Sequence, residues 1–308
     1  MTDLVDLQGK LQDTSAAISR ARKLLAEDPQ DTQFVAVLSS LERRQRRLEE
    51  QFLAEANAAG EDVCSYQLDR HGDSFPITAL AESLADFQSG LAVVFEAQKS
   101  GPKKTAHVSE VTIAQTTLGF SHTFHGSLGL VFTIPNERLL AIESELDRAV
   151  ETFFQMIHAK TADDLVRWAK ELGPAPIRKV HQWALNNAKH GISAAIRWRR
   201  NDTVRFEVDV QAAEAASLVS LIAETKPKIP EPHTLVGLLE GGDMVARTFH
   251  LSFAEGEDIR GHLAKDYNPL ELTLNRRYRA RLTKLTTVQL ATESEEIHWE
   301  LNGLEAVD

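Results

Sequence analysis

The chain has 308 residues, 43% hydrophobic and 26% charged, which is long enough for two or three domains with real cores and too apolar for global disorder. Its formal net charge of −11 opposes non-specific binding to nucleic acid and to anionic membranes. The single cysteine, Cys64, excludes an intrachain disulfide framework. The single cysteine, the acidic N-terminal segment and the lack of a long apolar run together predict a cytoplasmic protein without a membrane partner.

Residues 1–60 predict a first domain, an antiparallel hairpin of two amphipathic helices that pair as a coiled coil. Pro29 ends the first helix and Asp31 caps the second. Apolar residues recur at spacings of three and four, which forms a seam that must be covered by the other helix, a second copy or another protein. Thr14 and Gln45 interrupt the seam. Polar residues at such positions commonly fix the register of paired helices, and these two are candidates for that role. The seam consists of Leu4, Leu7, Leu11, Ile18, Leu25, Phe34, Leu38, Leu41, Leu48 and Phe52.

Residues 61–226 predict a second domain of mixed α+β type. Its predicted strands are 63–70, 107–120, 120–124, 128–134, 195–200 and 203–210. Its predicted helices are 76–98, 137–158, 162–172, 176–190 and 211–224. Strands that come in hairpins, with Gly126-Ser127 and Asn201-Asp202 as turns, favour an antiparallel sheet over a doubly wound parallel one.

Residues 227–233 contain three prolines and predict a linker to a third domain, residues 234–308. This last part predicts five short strands separated by glycine-rich and acidic turns, at 234–239, 247–253, 259–263, 277–287 and 297–304. Such spacing is typical of a small closed β-barrel of the SH3-like or OB-like kind. The fold class is therefore α+β, with a helical hairpin before it and a barrel after it.

The sequence has no standard motif for phosphate, dinucleotide or zinc binding, and it predicts no catalytic residue, cofactor or metal. His122 and His125 lie three residues apart on a strand, so they point to opposite faces and do not chelate one ion. The segment 125–129 is better explained as a hairpin turn than as a nucleophile elbow. Cys64 has no base near it in sequence and is expected to be a small buried residue.

Carboxylates and arginines on two predicted strands leave alternatives open. Glu207 and Asp209 share one strand face, which suits either a magnesium site or a solvated surface. Two arginine sets alternate with apolar residues and suit either a phosphate backbone or an acidic protein partner. They are Arg197, Arg199 and Arg200 in the second domain and Arg277, Arg279 and Arg281 in the barrel. In the barrel, carboxylates such as Glu295, Glu296 and Glu300 provide the alternative of an ion-pair ladder.

The seam favours a non-catalytic interaction or scaffold protein that assembles through the hairpin, either as a homo-oligomer or as a subunit of a larger bacterial complex. Two alternatives remain. The first is a nucleic-acid-binding accessory component, for example of a phage-defence or stress system, that uses the arginine strands. The second is a metal-dependent enzyme with Glu207 and Asp209 in the central domain. The sequence leaves open whether the chain binds a small molecule.

Overall fold

The computed structural model describes residues 4–70, 75–124, 128–136, 143–253, 258–267, 273–292 and 294–307. The chain divides into two compact units, Met1–Glu224 and Thr225–Asp308. The helices are α1 (Leu4–Glu27), α2 (Thr32–Ala58), α3 (Ile77–Ser100), α4 (Glu110–Thr116), α5 (Glu145–Ile157), α6 (Ala162–Glu171), α7 (Pro174–His190) and α8 (Ala212–Glu224). None of these helices is long and apolar enough to cross a membrane.

The strands of the first unit are β1 (Glu61–Arg70), β2 (Gly119–Phe124), β3 (Leu128–Pro135), β4 (Ile192–Arg200) and β5 (Thr203–Val210). Those of the second unit are β6 (Lys228–Asp243), β7 (Thr248–Ser252), β8 (Asp258–Leu263), β9 (Arg276–Val288) and β10 (Glu295–Ala306). The first set forms an antiparallel sheet and the second a closed barrel, so the predicted α+β class and small barrel are confirmed.

Helices α1 and α2 form the predicted hairpin. The Asp31 side chain accepts hydrogen bonds from the backbone amides of Gln33 and Phe34 and so caps α2. The two polar seam residues bond within their own helices, since the Thr14 hydroxyl donates to the carbonyl of Lys10 and Gln45 donates to Glu49. These contacts satisfy both polar side chains without joining the helices, so they supply no register contact across the seam.

The central sheet has the strand order β2-β3-β1-β4-β5, and one face packs against helices. Tyr66 of β1 lies at the centre of that face, where its ring packs edge-on against Phe87 of α3 and its hydroxyl accepts a hydrogen bond from Trp183 of α7. A Cβ on Gly90 of α3 would lie 2.6 Å from the ring of Phe153 on α5. Glycine at this point therefore lets the two helices approach closely.

The opposite sheet face is covered in part by the hairpin. Leu7 and Leu11 of α1 and Phe52 of α2 form one apolar cluster with Val63 of β1 and Val131 of β3. The helices and the sheet thus share buried surface, and both belong to the first compact unit. Removal of the hairpin would expose this side of the sheet to water.

The barrel has the strand order β10-β8-β7-β6-β9. Its neighbours pair antiparallel except β8 and β10, which run parallel and pair at Glu300 with His262 and at Leu301 with Leu263. Its core comprises Leu239, Phe249, Leu251, Ile259, Leu263, Tyr278, Ala280, Leu282 and Leu301. The alternation along each strand puts the residues between these on the outer surface.

One predicted strand is wrong. Residues 107–120 contain helix α4, and β2 begins only at Gly119. The Ser109 side chain accepts from the amide of Thr112 to cap α4, while the hydroxyl and amide of Ser109 donate to the buried carboxylate of Glu96 on α3. The capping and this contact to a residue distant in sequence override the strand-like composition.

The predicted linker also differs from the structure, because β6 begins at Lys228 and pairs with β9 along this stretch. Pairing of β6 with β7 starts only at Leu238, so Pro230 and Pro232 lie where β6 has one partner. A proline without an amide hydrogen is tolerated at such an edge. The other predicted barrel strands are confirmed. The turn at 125–127 and the start of the helix predicted over 137–158 lie outside the described residues.

Candidate functional site

The seam of the hairpin divides into a base and a tip. The hairpin base, defined by Leu7, Leu11, Leu48 and Phe52, is buried against the sheet. Leu4 packs on the same cluster, and Ile18 is buried further along α1. The remaining predicted seam residues, Leu25, Phe34, Leu38 and Leu41, are only half-buried, because two helices alone leave part of each apolar stripe uncovered.

The hairpin tip also carries apolar residues that the heptad spacing missed. Leu24, Val35 and Val37 are 42%, 45% and 48% exposed. Leu24 lies 13 residues beyond Leu11 of the base, a distance of about 20 Å along the helix. Together with Leu25, Phe34, Leu38 and Leu41 these three residues define the hairpin tip. Val35 and Val37 are two residues apart in α2 and so lie on different sides of the helix, which leaves exposed apolar side chains around the tip.

Charge on the hairpin differs from charge on the whole chain. Residues 4–58 contain eight Lys and Arg residues against nine Asp and Glu, a net charge of −1, whereas the chain carries −11. Arg22 and Glu42 form an ion pair of 2.8 Å between the two helices. A nearly neutral hairpin can therefore meet a second copy of itself without strong repulsion.

The β4 arginines do not form one face. Arg200 points to the helix side of the sheet, where its guanidinium forms ion pairs with the buried carboxylates of Asp62 and Asp147. Trp198 and Asn136 also donate to Asp62, at 3.0 and 2.7 Å. Burial is the largest single influence on Asp147 and opposes its ionisation, but the hydrogen bonds from Arg200, Ser144 and Asn136 and the charge of Arg200 together hold the pKa of Asp147 below its usual range. Arg200 therefore joins the sheet to α5 and is not part of a binding surface.

Arg197 lies on the opposite sheet face from Arg200. Its guanidinium is 3.5 Å from Glu207 and 3.7 Å from Asp209 on the neighbouring strand. The two carboxylates proposed for a magnesium site thus share one arginine as their partner. Arg199 pairs in register with Val63, and its Nε is buried with no hydrogen-bond partner in the described part of the chain.

The β9 arginines match the expected geometry. Arg277, Arg279 and Arg281 are all exposed on the outer barrel face, between alternating inward residues. Within the described ranges no carboxylate lies within 4 Å of any of the three guanidinium groups. Glu305 lies opposite Arg279 in register, whereas Glu295, Glu296 and Glu300 pair with the far end of β9, so these three do not form the alternative ion-pair ladder.

His122 and Cys64 are packing residues. The His122 ring lies edge-on to Phe52 of the hairpin base at 5.0 Å, and burial lowers the pKa of His122 to about 4. Cys64 is fully buried, and its burial raises the pKa of its thiol. The burial of His122 against Phe52 fits a packing role, and a buried, protonated thiol at Cys64 does not fit nucleophilic chemistry.

Glu240, His250 and Asp258, which sequence reading missed, come together on the outer barrel wall. They lie on the neighbouring strands β6, β7 and β8, and one ligand atom from each lies within 4.8 Å of the other two. Their separations in sequence, ten and eight residues, match no metal-binding motif. Only the strand register places them side by side.

Comparisons with protein-family models, with curated proteins and with solved structures give no match to this chain.

Proposed function

We propose that this chain is an interaction protein that self-associates through the hairpin tip. The observation that carries the proposal is the contrast between a base packed into the sheet core and a tip with Leu24, Val35 and Val37 exposed. The base fixes the direction of the hairpin, and the tip presents apolar surface at its far end. This arrangement suits assembly, because a rigidly held apolar patch loses little conformational entropy when a partner binds.

A second copy of the chain is the occupant that charge favours. The hairpin carries a net charge of −1, so two tips can approach with little local repulsion even though each whole chain carries −11. A two-fold dimer of hairpins would also cover Phe34 and Leu38 as a four-helix bundle does. The rest of the first unit and the barrel then remain available to present a recognition surface.

Native mass spectrometry of the full chain tests this proposal. The test variant combines Val35→Glu with Val37→Glu, two exposed positions where a carboxylate costs little in the folded monomer. The matched control is Val245→Glu on the barrel, where the valine is 95% exposed. Point variants are preferable to a truncation before Glu61, because truncation would uncover the apolar cluster on the sheet.

The expected result is an oligomer for the wild-type chain and for Val245→Glu, and a monomer for the double variant. A monomeric wild-type chain, or an oligomer that survives the double variant, would contradict the proposal. A different protein retained by the wild type and lost from the double variant would identify the tip as an interface but replace the second copy as its occupant.

Nucleic-acid binding through β9 is a second candidate function. It is favoured by the exposure of Arg277, Arg279 and Arg281 without a carboxylate within 4 Å in the described part of the chain. Tyr278, the aromatic residue that alternates with these arginines, points into the barrel core and does not offer its ring for base stacking. We therefore expect contacts to phosphate rather than to bases, with an affinity that falls steeply as salt rises.

The measurement for this candidate is fluorescence anisotropy with a labelled single-stranded oligonucleotide at several salt concentrations. Replacement of the three arginines by glutamine should abolish binding, whereas Arg197→Gln, which removes an arginine already paired with two carboxylates, should not. No binding by the wild type at low salt, or equal binding by both variants, would remove this function from β9.

A further inference from the structure

We propose that Glu240, His250 and Asp258 bind a divalent transition-metal ion on the outer wall of the barrel. The Nε2 atom of His250 lies 3.0 Å from Oδ2 of Asp258, and Nδ1 of His250 lies 3.8 Å from Oε2 of Glu240. Ligand atoms around a tetrahedral zinc ion are separated by roughly 3.3 Å, given bonds of about 2.0–2.1 Å. The two carboxylates face opposite nitrogens of the ring, but one ligand atom from each of the three side chains lies within 4.8 Å of the other two, so a small rotation brings all three to one ion.

The backbone holds the three ligands on adjacent strands of a closed barrel. A register shift in β6, between Leu239 and Gly241, occurs at Glu240. Bulges of this kind redirect a side chain, and they are common next to functional sites. The residues on β7 and β8 are in regular pairing, with Ser252 opposite Asp258 and His250 opposite Arg260. The site therefore stands on a rigid element rather than on a loop.

A neighbouring hydroxyl orients one of the carboxylates. The Ser252 Oγ donates a 2.8 Å hydrogen bond to Oε1 of Glu240, which leaves the other oxygen of Glu240 directed at His250. Outer hydrogen bonds of this type fix the orientation of metal ligands and raise affinity. Ser252 is accordingly a positioning residue for the site.

The charge of the cluster favours a cation. Two carboxylates flank one imidazole, and Arg260, although it is opposite His250 in register, forms no ion pair within 4 Å of either carboxylate in the described ranges. A single ion binds only one of the two ring nitrogens of His250. The carboxylate that faces the other nitrogen must therefore change its rotamer to reach the ion. The two carboxylate side chains are 41% and 50% exposed, and such a rotamer change requires no repacking of the core.

One nitrogen and two carboxylate ligands indicate the class of ion. Zn²⁺, Co²⁺ and Mn²⁺ accept this mixed set, whereas Mg²⁺ prefers oxygen ligands alone in octahedral geometry. His250 also lines a surface pocket of about 680 Å³ together with Arg260, His262 and Trp299. The remaining coordination positions of the ion would therefore be open to water or to an exchangeable ligand.

Isothermal titration calorimetry of the chelator-treated full chain with Zn²⁺ tests the site. We expect one Zn²⁺ per chain, at least a tenfold loss of affinity, or about 1.4 kcal/mol, in His250→Ala and in Asp258→Asn, and a smaller loss in Ser252→Ala. The matched control is His107→Ala, which removes an exposed histidine from the first compact unit and should bind as the wild type does. Circular dichroism without metal confirms that each variant is folded.

The competing account is that His250 simply bridges the two carboxylates without a metal ion. That account predicts no saturable binding of Zn²⁺ by the wild type, or binding that is unchanged in His250→Ala, and either result would overturn the metal site. Competition by Mg²⁺ at concentrations similar to those of Zn²⁺ would also contradict the nitrogen-containing ligand set.

Discussion

The base and the tip of the hairpin have the same heptad pattern but different environments. At the base, Leu48 and Phe52 are buried with sheet residues Val63 and Val131. At the tip, residues at equivalent seam positions, such as Phe34, are half-buried, and flanking residues such as Val37 are exposed. The same spacing thus supplies folding energy at one end of the helices and available surface at the other. This difference supports the proposal that the base stabilises the fold and that the tip serves assembly.

Replacement of phenylalanine by alanine should give the largest difference in stability between the base and the tip. Phe52→Ala removes a buried ring from a shared core and should cost about 3–5 kcal/mol in the free energy of unfolding. Phe34→Ala removes a half-buried ring and should cost about 1 kcal/mol. Urea denaturation of both variants measures the difference. Similar losses for the two variants would mean that the tip belongs to the folding core.

Acidification should destabilise the packing of the hairpin base, where His122 is buried. Burial lowers the pKa of His122 to about 4, below its unfolded value of about 6.5, so the unfolded chain binds the additional proton between these pH values. The free energy of unfolding should therefore fall as pH decreases from about 6.5 to about 4, by up to about 3 kcal/mol from this residue. Denaturation of wild type and His122→Gln across this pH range should give a shallower profile for the variant.

Thr14 tests whether a polar seam residue controls pairing. Its hydroxyl donates within α1 to the carbonyl of Lys10, so Thr14→Val should change the free energy of unfolding by less than about 1 kcal/mol. It should also leave the oligomeric state unchanged. A change in the number of subunits, observed by native mass spectrometry, would show that the hydroxyl specifies register after all.

Charge at the tip should have the smallest effect on stability. Val35→Glu with Val37→Glu alters two exposed positions and should change the free energy of unfolding of the monomer by no more than about 0.5 kcal/mol per site. Denaturation at low protein concentration, where association is weak, provides this value. A larger loss would indicate that the valines support the hairpin itself.

Local patterns in the sequence were sufficient to predict the hairpin, the antiparallel β-hairpin of β4 and β5 and the strands of the barrel, because each depends on periodicity and turns between neighbouring residues. The partners of individual charged side chains could not be predicted in this way. Arg200 and Arg279 occur in similar alternating segments, yet only Arg200 meets buried carboxylates, from β1 and α5. Those partners, Asp62 and Asp147, are distant in sequence and are brought together only by packing.

The same reason explains what was missed at the candidate sites. Glu240, His250 and Asp258 lie on three strands whose register no local pattern specifies. Val35 and Val37 lie off the heptad positions, so their exposure depends on how many helices cover the hairpin. Conversely, α4 was missed because Glu96 of another helix contributes to holding its cap.

Disulfide cross-linking at the tip tests the central claim most directly. Cys64 is fully buried with a raised thiol pKa, so a cysteine introduced at Val37 supplies the reactive thiol, and Val245→Cys on the barrel is the matched control. Under mild oxidation, the account predicts a covalent dimer from Val37→Cys at protein concentrations where Val245→Cys stays monomeric. A Val37→Cys variant that stays monomeric, or equal cross-linking of both variants, would contradict assembly through the hairpin tip.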